Sequence, residues 1–177
     1  LLHLTLGNFS PCIDFLKKVA LQAKKANASG LLLEYNDLFP FESWPEIVSP
    51  DAYSLDELID FEKYCGEIGL YVIPLFQSLG HSSYILSKDA MKLYRRVPED
   101  KANFALTKMT AEKLTGCYAD LLKVHKSAPF IHLGCDECWI DRQWTCDDVQ
   151  LEIRRLPQWI NSLSKKVREN HGIHSAI

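Results

Sequence analysis

The sequence predicts an α/β fold of parallel (β/α) units of the TIM-barrel type, present as an incomplete barrel of four to five strands. Three observations carry this reading. Short apolar runs alternate with stretches whose apolar residues recur at helical spacing, the pattern of a sheet covered by helices. The runs are near-continuously apolar, as strands buried on both faces are. Four such units occupy 177 residues, whereas a complete eight-unit barrel takes about 250. A doubly wound open sheet shares the periodicity, but no glycine-rich phosphate loop follows the first strand. The whole chain, 1–177, reads as one partial (β/α) barrel domain without repeats or linkers.

The elements follow in order. LLHLTL (1–6) is a strand, and Ser10-Pro11 supplies an N-cap and a first helical residue for a helix to about Asn27. GLLLEY (30–35) is a buried strand opened by glycine. Ser54-Leu55-Asp56-Glu57 has capping-box spacing, and Leu58, Cys65 and Ile68 mark the inner face of a helix ending near Gly69. LYVIPLF (70–76) is the third strand, with Pro74 placed late, where a lost ladder bond is best tolerated. Residues 77–109 read as an irregular insertion. Thr110 is expected to cap a helix whose Leu114, Cys117, Tyr118, Leu121, Leu122 and His125 share helical spacing. FIHLG (130–134) is the fourth strand. A helix from about Leu156 to Asn170 buries Trp159, Leu163 and Val167 and stops at Gly172, and HSAI (174–177) opens a fifth strand.

Composition narrows the partners. The net charge is -3, and Lys and Arg are scattered, so no electrostatic footprint for nucleic acid or an anionic membrane is present. No apolar run reaches the roughly 18 residues that span a bilayer, and the start lacks the basic region and cleavage site of a signal peptide. A small molecule or glycan is the expected partner. Six cysteines in no compact framework favour a reducing compartment, cytoplasmic or nuclear. Two sequons, Asn8-Phe9-Ser10 and Asn27-Ala28-Ser29, point the other way.

In barrels of this type reactive groups sit at the carboxyl ends of the strands. That rule selects Glu34, Asn36 and Asp37 after strand two, Gln77, Gly80 and His81 after strand three, and His132, Asp136 and Glu137 at strand four. Neighbouring strand residues point to opposite faces, so Asp136 and Glu137 share a site only on the rim, after the strand has ended. Adjacent carboxylates suit poorly the placement of two-carboxylate glycosidases, which set their groups on either side of the scissile bond about 5–5.5 Å or more apart. They suit a mechanism with one acid and one orienting group; a solvated loop pair is the bland alternative. His81, following glycine in a loop, is placed to act beside the acid with Asp37 holding it. His132 lines the pocket or packs in the core. Phe39, Phe41, Trp44 and Trp139 stand near strand ends as sugar-stacking or packing aromatics. His3, His125, His171 and His174 read as structural or exposed.

IHLGCDECW (131–139) also contains a C-x-x-C pair, Cys135 and Cys138. In extended chain their Cα atoms lie roughly 10 Å apart, too far for a disulfide. A zinc site needs two further ligands, and no second C-x-x-C or H-x-x-x-H supplies them. Alternation turns Cys135 away from His132 and Asp136 towards the helical layer, where it packs as a small hydrophobe. No metal or other cofactor is expected.

With these residues in view, the sequence resembles the catalytic barrel of the family 20 glycoside hydrolases, the β-N-acetylhexosaminidases. Their H-x-G-G-D-E motif is matched by His132-Leu133-Gly134-Cys135-Asp136-Glu137. The cysteine in place of the second glycine is similar to the hexosaminidase D branch, as are LLLEYNDLFPFE (31–42), VIPLFQSLGH (72–81) and FIHLGCDE (130–137). The resemblance implies a retaining, substrate-assisted mechanism in which the substrate's own 2-acetamido carbonyl attacks the anomeric carbon. It implies that Glu137 protonates the leaving oxygen and later activates water, that Asp136 holds the acetamido N–H, and that His81, supported by Asp37, relays to the acid. His132, Glu34 and Trp139 would contact a terminal N-acetylgalactosamine or N-acetylglucosamine. The first strand lacks the D-x-x-R pattern by which many members grip the sugar, and the walls supplied by strands five to eight are absent. Open barrel edges invite pairing, so a sugar-binding or homodimeric half-barrel is the rival reading, with a cysteine-based metal or redox protein the third.

Overall fold

The computed structural model describes residues 1–7, 10–137 and 146–176. Five strands, β1 (Leu2–Thr5), β2 (Gly30–Glu34), β3 (Tyr71–Leu75), β4 (Phe130–His132) and β5 (His174–Ala176), form one sheet in the order β1-β2-β3-β4-β5. Every pairing is parallel. The strand order never reverses, which separates the fold from a doubly wound sheet and gives the stepwise progression of a barrel wall. The register aligns Thr5 with Glu34, Glu34 with Leu75, Leu75 with His132, and His132 with Ala176. Five strand ends thus share one row.

Helices α1 (Ile13–Lys25), α2 (Leu55–Glu67), α4 (Lys108–Val124) and α5 (Cys146–His171) pack in sequence as an outer layer. Leu31, Leu33, Val72 and Ile131 meet Leu16, Phe61, Leu114 and Leu163 in the core between the layers. The capping box forms as the spacing predicts: Ser54 N–H donates to Glu57 Oε2 at 2.8 Å, and Glu57 N–H donates to Ser54 Oγ at 3.3 Å.

Three boundaries differ from expectation. Helix α1 begins at Ile13 behind Cys12, which makes no side-chain cap, and the Pro11 carbonyl instead accepts from Tyr53 Oη at 2.7 Å. A tertiary bond outweighs the local Ser-Pro signal. Helix α4 is capped by Thr107, not Thr110, because the sequence offers two threonines three apart and Thr110 N–H donates back to Thr107 Oγ1 at 3.2 Å. Helix α5 starts at Cys146 and carries Pro157 inside it. The helix therefore begins before the expected start near Leu156 and accommodates a proline in its interior.

Residues 77–109 are folded rather than irregular. They contain the single-turn helix α3 (Ser83–Leu86), a 3₁₀ segment Asp89–Tyr94 and a bridge between Arg95 and Phe104. The buried Arg95 guanidinium donates to the carbonyls of Leu86 (2.8 Å) and Pro98 (2.9 Å), closing the segment on itself.

Candidate active site

The row of strand ends opens into a cavity of about 610 Å³ lined by Glu34, Asp37, Gln77, His81, Tyr84 and Asp136, with His3, Thr5 and Asn36 among its other walls. Its floor is built on one carboxylate. Glu34 is only 7% exposed and accepts from Thr5 Oγ1 at 3.0 Å and Gln77 Nε2 at 3.1 Å, while His3 Nε2 lies 3.2 Å away. Donors from β1 and from the segment after β3 converge on the end of β2. Such convergence satisfies a buried charge that would otherwise be costly.

Among the described residues, four positions outside glycine adopt positive φ, and three are here: Asn36 (53°), His81 (52°) and Glu137 (43°). The left-handed region is disfavoured for residues with a Cβ, so surrounding contacts hold these turns open. After β4 the chain turns at Gly134, φ 57°, so the strand has ended before the acid pair. Asp136 and Glu137 therefore lie on the rim, after the strand has ended, as expected.

His81 Nε2 lies 3.5 Å from Asp136 Oδ2 and 3.3 Å from Glu137 Oε2. One imidazole nitrogen spans both carboxylates. The expected support from Asp37 is not what positions it: among the described residues, His81 pairs with the two acids, and Asp37 lines the cavity without bonding it. The side chains of Asp136 and Glu137 are 60% and 72% exposed.

His132 ends β4 half-buried, with its Nδ1 accepting from Gly134 N–H at 3.1 Å. Acceptance requires an unprotonated Nδ1, and burial pushes the imidazole below its ordinary range, partly opposed by Asp136. Cys135 lies within 3.2 Å of Ser78 Oγ and packs against the core, and burial raises its thiol. That position is the expected spacer role. Cys12, Cys65, Cys117 and Cys135 are free, and among the described residues no three His, Cys, Asp or Glu side chains gather to hold a metal. Cys138 and Trp139 lie outside the described residues.

The aromatics Phe39, Phe41 and Trp44 are buried, with Phe41 against Phe76 at 4.9 Å and Trp44 against Tyr94 at 4.7 Å, so they pack the core. His125 is also internal, between Glu62 (2.8 Å) and Tyr35 Oη (2.9 Å). His3 was expected to be structural or exposed, yet it lines the cavity beside Glu34. Strand alternation held the missing signal, since His3, Thr5 and the register partner Glu34 fall on one face.

No family model matches the chain. The chain is similar to hexosaminidase D of Homo sapiens, 31% identical over 141 residues, covering 78% of this chain and 29% of the relative. It is also similar to hexosaminidase D of Bos taurus, 28% identical over 159 residues, covering 81% and 44%. The chain thus spans less than half the length of these curated relatives. Among solved structures it superposes on a β-N-acetylhexosaminidase with a TM-score of 0.76 at 15% identity, over 98% of this chain and 45% of the other. A family 20 catalytic module of a pneumococcal exo-β-D-N-acetylglucosaminidase gives a TM-score of 0.76 at 15% identity, over 98% and 52%. The resemblance read from the three sequence blocks is borne out, and the fold is that of part of a family 20 (β/α) barrel.

Proposed function

We propose that this chain forms the acid–base side of a β-N-acetylhexosaminidase site, a glycoside hydrolase acting on terminal N-acetylgalactosamine or N-acetylglucosamine with retention. The observation that carries the proposal is His81 within 3.3–3.5 Å of both Asp136 and Glu137 at a cavity floored by Glu34. Three different strand ends converge there. The similarity to proteins named hexosaminidase D supports the same reading.

Adjacent carboxylates suit a two-carboxylate arrangement poorly, and the resemblance to the β-N-acetylhexosaminidases implies that the nucleophile is the substrate's own acetamido carbonyl. Glu137 donates a proton to the departing glycosidic oxygen, then takes one from water as that water opens the oxazolinium ring. Asp136 accepts from the acetamido N–H and turns the carbonyl oxygen towards the anomeric carbon. His81 orients both carboxylates. The polar cavity, with Glu34, Asp37 and His81 around it, receives the ring, and its volume falls within the roughly 300–1,000 Å³ of small-ligand sites. The anomeric configuration of the first-formed sugar, followed by proton NMR on an aryl N-acetyl-β-hexosaminide, tests this chemistry. β-Product, with no hydrolysis of the matching glucoside lacking the acetamido group, is expected; equal turnover of both substrates would contradict it.

A further inference from the structure

We infer that Gly80 sets the position of the acid pair, an inference that rests on the hexosaminidase reading above. A Cβ added at Gly80 would lie 2.8 Å from the Glu137 carbonyl oxygen and 2.9 Å from that of Asp136. Real Cβ atoms essentially never approach backbone oxygen so closely, so something must move by roughly half an ångström to restore ordinary contact. The backbone at Gly80 is not in the left-handed region, unlike that at Gly134. Glycine is therefore required at position 80 for space alone.

Which side yields is decided by the bonds on each. The turn carrying Gly80 is tied on several sides: Ser78 N–H donates to Gly134 O (2.9 Å), Trp159 Nε1 donates to Ser78 O (3.3 Å), Phe104 N–H donates to Leu79 O (2.9 Å), and Ser82 Oγ donates to Gly80 O (2.9 Å). Gly80, Ser78 and Leu79 are all buried. The opposing Asp136 and Glu137 side chains are exposed on a rim after the strand has ended. Added bulk at position 80 pushes the carboxylates outward, away from His81 and the cavity. Gly80 is a positioning residue that touches no substrate; it acts through the backbone of both acids.

The test compares Gly80→Ala with Gly66→Ala, whose added methyl meets nothing within 4 Å. On an aryl N-acetylhexosaminide, Gly80→Ala should lower kcat on the order of 10-fold, since a misplacement of about 1 Å can cost about 100-fold and the shift here is about half that, while KM moves less than about threefold. Gly66→Ala should change neither. Ser82→Ala, which frees the Gly80 carbonyl without adding an atom, should give a smaller fall in kcat and serves if Gly80→Ala does not fold. Parental kcat in both Gly80→Ala and Ser82→Ala would overturn the inference while leaving the enzyme reading intact. If the parent hydrolyses no N-acetylhexosaminide, that reading fails separately. The carbonyl ¹³C resonances of Asp136 and Glu137 then decide: a shift in Gly80→Ala but not in Gly66→Ala upholds the positioning role, and unchanged resonances overturn it.

Discussion

The two sides of the cavity are built differently. On the β1–β3 side, Glu34 is buried at a strand end and gathers partners from two neighbouring segments. On the β4 side, Asp136 and Glu137 stand exposed after a left-handed turn and share one histidine. A group woven into the sheet is costly to change because it is itself buried and holds the buried Gln77 amide. A group on the rim can be altered chemically without disturbing the core. The expected division is that the first side governs stability and the second governs chemistry.

Removing the floor carboxylate should have the largest effect on folding. Glu34→Leu strands the Gln77 amide, which is 4% exposed, and leaves Thr5 and His3 without their acceptor. The expected loss is about 1–3 kcal/mol in urea unfolding, since the orphaned buried Gln77 amide loses its hydration energy while the exposed Thr5 and His3 turn to water. A loss below about 0.5 kcal/mol would erase the distinction between the two sides.

A smaller effect is expected from His132, which joins them. Burial holds its imidazole below the ordinary value of 6.5, so the unfolded chain takes up a proton more readily than the folded one. Its contribution to stability is therefore complete above that value and is lost as pH falls towards the depressed folded one. Protonation also ends acceptance from Gly134 N–H. The unfolding midpoint should fall between pH 7 and pH 5, and by less in His132→Gln; equal falls would assign the acid sensitivity elsewhere.

Much of this division was legible in the sequence. Continuous apolar runs located β1 to β4, and the strand-end rule selected Glu34, His81, Asp136 and Glu137 before any geometry was known. Local signals failed where tertiary contacts competed. Ser10-Pro11 promised a helix start, but Pro11 bonds Tyr53 across the structure. Asp37 looked like the partner of His81, yet the turn at Gly134 brings both rim acids to that histidine instead. His3 was passed over although alternation puts it on one face with Thr5; the pairing of Thr5 with Glu34 then brings that face to the carboxylate. Phe39, Phe41 and Trp44 illustrate a further limit, since nearness to a strand end does not reveal which way an aromatic side chain turns.

The most direct measurement is kcat on a chromogenic N-acetylhexosaminide for Glu137→Gln, taken together with its urea midpoint. Glu137 is 72% exposed in its side chain, so the substitution should leave the midpoint unchanged. As the proposed general acid, its loss should lower kcat about 10²- to 10⁴-fold. Unaltered kcat in a protein whose parent is active would contradict the assignment of the acid.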